Sequence, residues 1–318
     1  MPHYTVRPMQ TPEDYAAVAA LLHTEAEELA LADETIPQED RPAKDEEGRI
    51  TGFYRERVVA VDEEGNVVGY AASWRAPWAI AGTLGSHLIV DPSVRGRGVG
   101  RLLYDHLEAW CHKIEADVLF SELKEGEPDA LAFVERRGFA IDRHLFTSTL
   151  HMDAYDEAKF AGVVDGVKAS GIRFAQGEAV WEQTTEDELY QLFADTCRDN
   201  PAMLTPPLFD EWRDSVRECP PQYLFVAFDG DRPVGLTQQL EMEEDGLYNE
   251  YTGVHTDYRG RHIALALKLL LLEEAKRYDV TYMQADNDSE NLGMLAVNSK
   301  LGFVPNLGNY RIMKDLRK

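Results

Sequence analysis

Hydrophobic and polar positions along the chain switch between two periods. Short runs such as Val58–Val61, Val67–Trp74, Leu84–Val90 and Asp117–Leu123 predict strands, whereas Val99, Leu102, Leu103, Leu107 and Trp110 recur at helical spacing. The first half therefore opens with a strand at Tyr4–Pro8. A helix follows, with Thr11 as N-cap and Pro12 at its first position. A hairpin turns at Asp62–Asn66, between Val58–Val61 and Val67–Trp74. Leu84–Val90 leads into the long helix, and Asp117–Leu123 follows it. A short helix, Ala130–Arg136, ends at Gly138-Phe139, and a last strand, Leu145–Met152, closes the unit. Residues 33–50 are polar and contain proline, which predicts a loop or short helices able to cover a cleft.

The same order then returns. Asp153–Ser170 has the pattern of a linker helix, with Phe160, Val163, Val164 and Val167 on its apolar side. A strand (Ile172–Phe174), a helix capped by Thr185, a helix at Leu208–Val216 and a hairpin around Asp229–Arg232 come next. Leu247–Val254 is the strand before a second long helix that runs to about Arg277. Val280–Ala285, Met294–Lys300 and Gly302-Phe303 complete the copy. Arg95 recurs as Arg259, and Gly138-Phe139 as Gly302-Phe303, at one offset of 164 residues (259 − 95, and again 302 − 138). One glycine loop recurs by chance; loop, helix, strand, helix and Gly-Phe at identical spacing do not, so the chain is a duplicated domain. The expected division is residues 1–152, a linker helix at 153–170, and residues 171–318.

The loop between the strand and the long helix carries the chemistry. In the first half it reads Val90-Asp91-Pro92-Ser93-Val94-Arg95-Gly96-Arg97-Gly98-Val99-Gly100-Arg101. A strand, a glycine-rich turn and a helix N-terminus aim several backbone N–H groups and the positive end of the helix dipole at one point, which binds phosphate or pyrophosphate. Gly98 and Gly100 allow close approach, and Arg95 and Arg97 add charge. The P-loop pattern is excluded, because no Lys-Ser/Thr follows. The dinucleotide fingerprint fails on glycine spacing.

Composition narrows the classes. With 318 residues and 44% hydrophobic content, the chain is long enough for two cores. Its 57 acidic against 32 basic residues give a net charge of −25, which argues against a nucleic-acid partner and either serves solubility, as on a salt-adapted surface, or steers a cationic substrate. No apolar run is long enough to span a membrane, and the N-terminus lacks the order of a signal peptide, so the cytoplasm is expected. Cys111, Cys197 and Cys219 are scattered, and neither they nor the histidines have metal-ligand spacing, so no metal is expected.

The run Arg95, Gly98, Gly100 matches [Arg/Gln]-x-x-Gly-x-[Gly/Ala] and resembles the acyl-CoA loop of the GNAT superfamily of N-acetyltransferases. Each half looks like one GNAT domain, and the tandem arrangement is loosely similar in architecture to mycothiol synthase. The resemblance implies an α+β fold with a mixed, mostly antiparallel sheet, splayed between the strand before the loop and the strand after the long helix. It also implies acetyl-CoA as co-substrate. Backbone groups of Leu88, Ile89 and Val90 would hold the pantetheine arm. Arg95, Gly96, Arg97, Gly98, Val99, Gly100 and Arg101 would hold the pyrophosphate. In the second half the counterparts are Thr252, Gly253, Val254, Arg259, Gly260, Arg261, Ile263 and Ala264, with Asn291 before the short helix. His262 stands where the pattern has glycine and either contacts phosphate or marks a degenerate copy, so the first half is the expected donor site, and the second binds acetyl-CoA weakly or not at all and helps build the acceptor site.

The acceptor would be a primary amine of a small molecule or peptide, attacking directly in a ternary complex. A lysine-like amine has a pKa near ~10.4, so a base must take its proton. Glu122, on the strand after the first long helix, and Glu250, on the second half's strand before the loop, are the candidates. His87 reads as a packed or hydrogen-bonded histidine rather than a base. The tyrosine that many members carry on the short helix, as acid for the leaving thiolate, is Val134 in one half and Asn298 in the other. That departure motivates an alternative, a non-catalytic CoA-binding or interaction protein; a mycothiol-synthase-like activity is a further one. Finally, Ile263, Leu267, Leu270 and Leu271 form one stripe of the second long helix and Leu265, Leu269 and Leu272 another. A helix apolar on two sides is buried on two sides. It is expected to pack on its own sheet and on the other half or a second copy, which would make a homodimer.

Overall fold

The computed structural model describes residues 3–24, 43–75, 79–198 and 208–318. The chain forms two compact units. One comprises Met1–Asp142 with Tyr310–Lys318, and the other Arg143–Asn309.

The first unit is built on strands in the order β1 (Thr5–Pro8), β2 (Tyr54–Val61), β3 (Val67–Arg75), β4 (Thr83–Val90), β5 (Val118–Lys124) and β13 (Asn309–Asp315). β1 to β4 are antiparallel neighbours, and β4 pairs with β5 in parallel. Successive residues of a strand face opposite sides, and here both sides are covered. Val58 and Ala60 pack with Val99, Leu103 and Leu107 of α2 (Val99–Lys113). Val59 and Val61 pack with Val18, Leu21 and Leu22 of α1 (Tyr15–Leu22). Val58–Val61 of β2 is therefore an unbroken apolar run, as a segment covered on both faces requires. α3 (Pro128–Glu135) follows β5.

The second unit has the order β6 (Ala140–His151), β11 (Tyr282–Asp288), β10 (Gly246–Val254), β9 (Arg232–Met242), β8 (Phe225–Asp229) and β7 (Ile172–Gln176), with β12 (Val304–Pro305) beside β6. Its helices are α4 (Val163–Ala169), α5 (Glu178–Trp181), α6 (Glu186–Cys197), α7 (Phe209–Glu218), α8 (Ile263–Arg277) and α9 (Leu292–Leu301). Thr185 caps α6 as expected, in a box with Glu188. One buried cluster joins the sheet to Leu189, Leu192 and Phe193 of α6, Trp212 and Val216 of α7, and Ile263, Leu267 and Leu271 of α8.

Four expectations change. The first helix starts at Tyr15, with Asp14 rather than Thr11 at its N-cap, and Asp14 is held by Arg7 at 2.6 Å. Residues 153–170 are not one linker helix: 3-10 turns at Met152–Ala154 and Glu157–Phe160 precede the short α4, which Gly162 starts with a left-handed backbone. That segment is also what covers the second side of α8. Tyr155, Phe160 and Val164 lie with Leu269 and Leu270 around one groove, so the second stripe is buried inside this unit. Lastly, the strand expected to close the first half pairs with β11, from Leu145↔Asp288 to His151↔Tyr282, and belongs to the second unit. The place beside β5 is taken by β13, a strand the sequence reading did not include. Of the cleft-covering segment 33–50, residues 33–42 lie outside the described residues. Lys44 and Ile50 close a short bridge in the remainder. Among the described residues no helix is long and apolar enough to cross a membrane.

Candidate active site

In each unit the strand before the loop starts in parallel register with its neighbour and then departs from it. In the first unit the β4–β5 ladder runs from Thr83↔Val118 to Gly85↔Phe120. Ser86 Oγ then donates to the Phe120 carbonyl at 3.0 Å, and Ser121 Oγ to the Ser86 carbonyl at 2.7 Å. Leu88, Ile89 and Val90 continue beyond the ladder. Asp91 accepts from the Ser93 N–H at 2.8 Å, and Arg95 Nε donates to the Val90 carbonyl at 3.0 Å, pinning the loop to the strand end. Gly96 and Gly98 hold φ of +77° and +93°. These left-handed residues turn the chain so that the first N–H groups of α2 face outward at the loop. Arg97 and Arg101 are exposed. Phe133 of α3 lies against the start of α2: a Cβ on Gly100 would stand 3.2 Å from its ring. The Arg137 guanidinium covers that ring at 3.4 Å.

The second unit repeats the loop with different contents. β10 pairs with β11 from Gly246↔Tyr282 to Asn249↔Ala285. Its register with β9 then slips by one residue between Asn249 and Tyr251, so Glu250 is the extra residue of a β-bulge. In β4 the register with β3 runs unbroken from Gly69↔Val90 to Trp74↔Gly85. After the bulge, Arg259 Nε donates to the Val254 carbonyl at 3.2 Å, the counterpart of Arg95 on Val90. Gly260 holds φ of +76°, and His262 holds φ of +61° where the first unit has Gly98. The loop backbone survives the substitution because the histidine accepts the left-handed conformation.

A cleft of about 540 Å³ opens beside this loop. Thr252, Gly253 and Val254 form one wall, and Arg259, Gly260, Ile263 and Ala264 the loop and helix side. Asn291, which caps α9 by accepting from the Met294 N–H at 3.3 Å, closes the far side with Met294 and Val297. Eight of the residues expected at the second donor site thus line one cavity. The ninth, Arg261, stands outside it, its guanidinium 5.2 Å from the Tyr258 ring. Val297 and Ala264 occupy the positions that Phe133 and Gly100 hold in the first unit.

Glu250 is exposed, yet its carboxyl is held above the usual carboxylate range. Partial desolvation at the bulge is the main cause, followed by the carboxylates of Asp286 and Glu218. Asp286 is itself held, accepting from Tyr248 Oη at 2.9 Å and Thr147 Oγ1 at 3.0 Å. Glu122, at the matching position of β5, is exposed. His87 is exposed rather than packed, and partial desolvation of its ring lowers its titration below the ordinary histidine range. Tyr251 lines the cleft, but its hydroxyl turns into the core, 2.8 Å from Thr196 Oγ1. Asn298 is buried and donates to Asn287 Oδ1 at 2.9 Å.

Sequence reading missed three participants. Asp286 lies four residues past the start of an ordinary-looking strand. Asn249 and Lys268 become partners only across the sheet–helix contact, at 2.5 Å. The one signal available was Lys268 itself, a cation inside an otherwise leucine-rich stripe.

The model of the Acetyltransferase (GNAT) family matches residues 22–139 and again residues 187–303. The chain belongs to the GNAT family. Solved structures place it among two-domain members by fold. A GCN5-related N-acetyltransferase from Sphaerobacter thermophilus is 19% identical, with a TM-score of 0.62 over 99% of this chain and 96% of that one. A tandem GNAT protein from the clavulanic acid biosynthesis pathway is 21% identical, with a TM-score of 0.58 over 99% of both. A glucosamine N-acetyltransferase region of a fungal multi-domain GH3 β-N-acetylglucosaminidase is 18% identical, with a TM-score of 0.63 over 98% of this chain and 38% of that one. A search of curated proteins by sequence finds no match. The chain is thus a tandem GNAT acyltransferase, an α+β protein made of two repeats.

Proposed function

We propose that this GNAT protein transfers an acetyl group from acetyl-CoA to a primary amine, and that the second unit is its donor site. The observation that carries this is the conjunction of bulge, splay and open cleft at one loop. The glycine count of the loops favoured the first unit; the fit of His262 to a left-handed position, and Phe133 with Arg137 against the first loop, favour the second. Residues lining the cleft suit acetyl-CoA: N–H groups at the start of α8 and Gly260 for the pyrophosphate, and, for the pantetheine amides, the side of Thr252–Val254 that lies beyond the ladder to β11.

Glu250 is the proposed base. Its raised carboxyl moves toward neutral pH, where a general base is most effective. It takes a proton from the ammonium form of the acceptor. The amine nitrogen attacks the thioester carbon, the C–S bond breaks, and the second amine proton goes through water to the departing thiolate. Backbone N–H groups on the splayed strand stabilise the oxyanion. Neither short helix offers a phenol, so water replaces it. The carboxylates of Glu250, Asp286 and Glu218 and the net charge of −25 suit a cationic acceptor, small or peptidyl.

The test is thiol release from acetyl-CoA across a panel of primary amines (putrescine, lysine ethyl ester, glucosamine, a peptide with a free N-terminus). Amine-dependent release is expected, and Glu250→Gln should lower kcat/KM by about 10²–10⁴-fold. Tight acetyl-CoA binding without amine-dependent release would leave the chain a CoA-binding protein instead.

A further inference from the structure

The bulge at Glu250 rests on a buried cation. Lys268, on α8, is 2% exposed, and its ammonium donates to Asn249 Oδ1 at 2.5 Å while facing the Phe303 ring at 5.3 Å. The same Asn249 oxygen accepts from Thr252 Oγ1 at 3.0 Å. Thr252 Oγ1 lies 2.7 Å from Thr237 Oγ1, which in turn accepts from Gln239 Nε2 at 3.2 Å. Asn249 is the last residue in register before Glu250, and Thr252 is the second after it. One amide oxygen therefore ties together the two sides of the bulge, and the lysine holds that oxygen in place.

Burying an ammonium costs several kcal/mol unless it is compensated. Leucines stand on either side of Lys268, so an apolar residue would fill its place without that cost. The expense is visible in the group's titration, pushed down to about 7 by desolvation. The first unit has Tyr104, Gly85 and Leu88 at the places of Lys268, Asn249 and Thr252, and there β4 runs without a register shift. The clamp and the bulge occur together.

We propose that Lys268 is a positioning residue: through Asn249 and Thr252 it fixes the bulge, and so holds the Glu250 carboxyl beside Asp286 and Glu218, one residue before Tyr251 of the cleft wall. The catalytic half of this inference rests on Glu250 being the base; the positioning half does not. The groups that face Glu250 are Tyr248 on its own strand, Asp286 on β11, and Glu218 and Cys219 at the end of α7. If the bulge relaxes, Glu250 leaves this crowded place and becomes an ordinary carboxylate.

Removing both partners of a buried hydrogen bond restores packing without an orphaned polar group. Lys268→Met/Asn249→Val in the full chain is therefore the decisive variant, with Thr252→Val as a milder one that removes only the second arm of the clamp. The Glu250 carboxyl is followed by its 13C shift against pH, assigned with Glu250→Gln, alongside thermal melting and steady-state kinetics. The expected result is a Glu250 midpoint that falls toward the ordinary range in the double variant and part of the way in Thr252→Val. With melting recovered relative to Lys268→Met alone, kcat should fall by about 10²-fold while KM for acetyl-CoA holds. A Glu250 midpoint unchanged in both variants overturns the proposal. A shifted midpoint with a fully active Glu250→Gln supports the clamp and sinks Glu250 as the base.

Discussion

At the scale of single residues, the two loops show how much one backbone tolerates. Gly98 and His262 hold the same left-handed turn, but a side chain there costs roughly 1–2 kcal/mol. His262→Gly is therefore expected to raise the melting temperature of the second unit while leaving the loop intact; a fall would mean the imidazole makes compensating contacts in the cleft. Glu250 carries the pH behaviour. A base works when deprotonated, so a raised carboxyl places the acid limb of the kcat/KM profile above the usual carboxylate range. Asp286 contributes to that rise by charge, and Asp286→Asn should move the acid limb to lower pH. An unmoved limb would show that another group titrates in it.

At the scale of elements, α8 is the informative one. Two apolar stripes announced burial on two sides, and both sides are buried, but the second by residues 155–164 rather than by another half or copy. Lys268 is what the pattern conceals. Its pKa is about 7 in the fold against 10.5 for the free side chain. Across that window the unfolded chain binds a proton that the folded chain does not, so its contribution to stability grows as pH rises from about 7 to 10.5. Urea denaturation across the window should show the second unit gaining stability with pH in the wild type, and Lys268→Met should flatten the gain. An equal slope in both would mean that the lysine is not desolvated.

At the scale of the whole chain, the repeats and the folded units are not the same segments. The repeats run in order along the sequence, and the family matches fall at 22–139 and 187–303. The units exchange their last strands: residues 310–318 sit with the first and residues 143–151 with the second. Ile312 and Leu316 belong to the core of Leu84, Tyr104 and Leu119, and Lys314 donates to Tyr104 Oη at 2.8 Å. Deleting 310–318 should therefore strip amide-exchange protection from β5 and α2, far from it in sequence, and leave α8 and β10 protected. Loss confined to the second unit would contradict the exchange. By the same reasoning a fragment spanning 143–309 should fold alone, whereas 171–318, without β6, should not.

What the sequence determined by itself is local or periodic. The strand–loop–helix at Arg95 and Arg259, the Thr185 cap, the hairpins and the duplication depend on spacing and on backbone rules that act over a few residues. The helix at 153–170 failed on the same ground, since an apolar period is satisfied equally by two turns and a short helix wrapped on α8. Tertiary structure decided the rest. Which copy of a closing strand pairs with which sheet is invisible to pattern, because both copies alternate alike and either would bury the same face. The bulge at Glu250, the pairing of Lys268 with Asn249 and the crowding of Glu250 by Asp286 and Glu218 arise where elements distant in sequence meet. There, desolvation and charge act through distances that no residue order encodes.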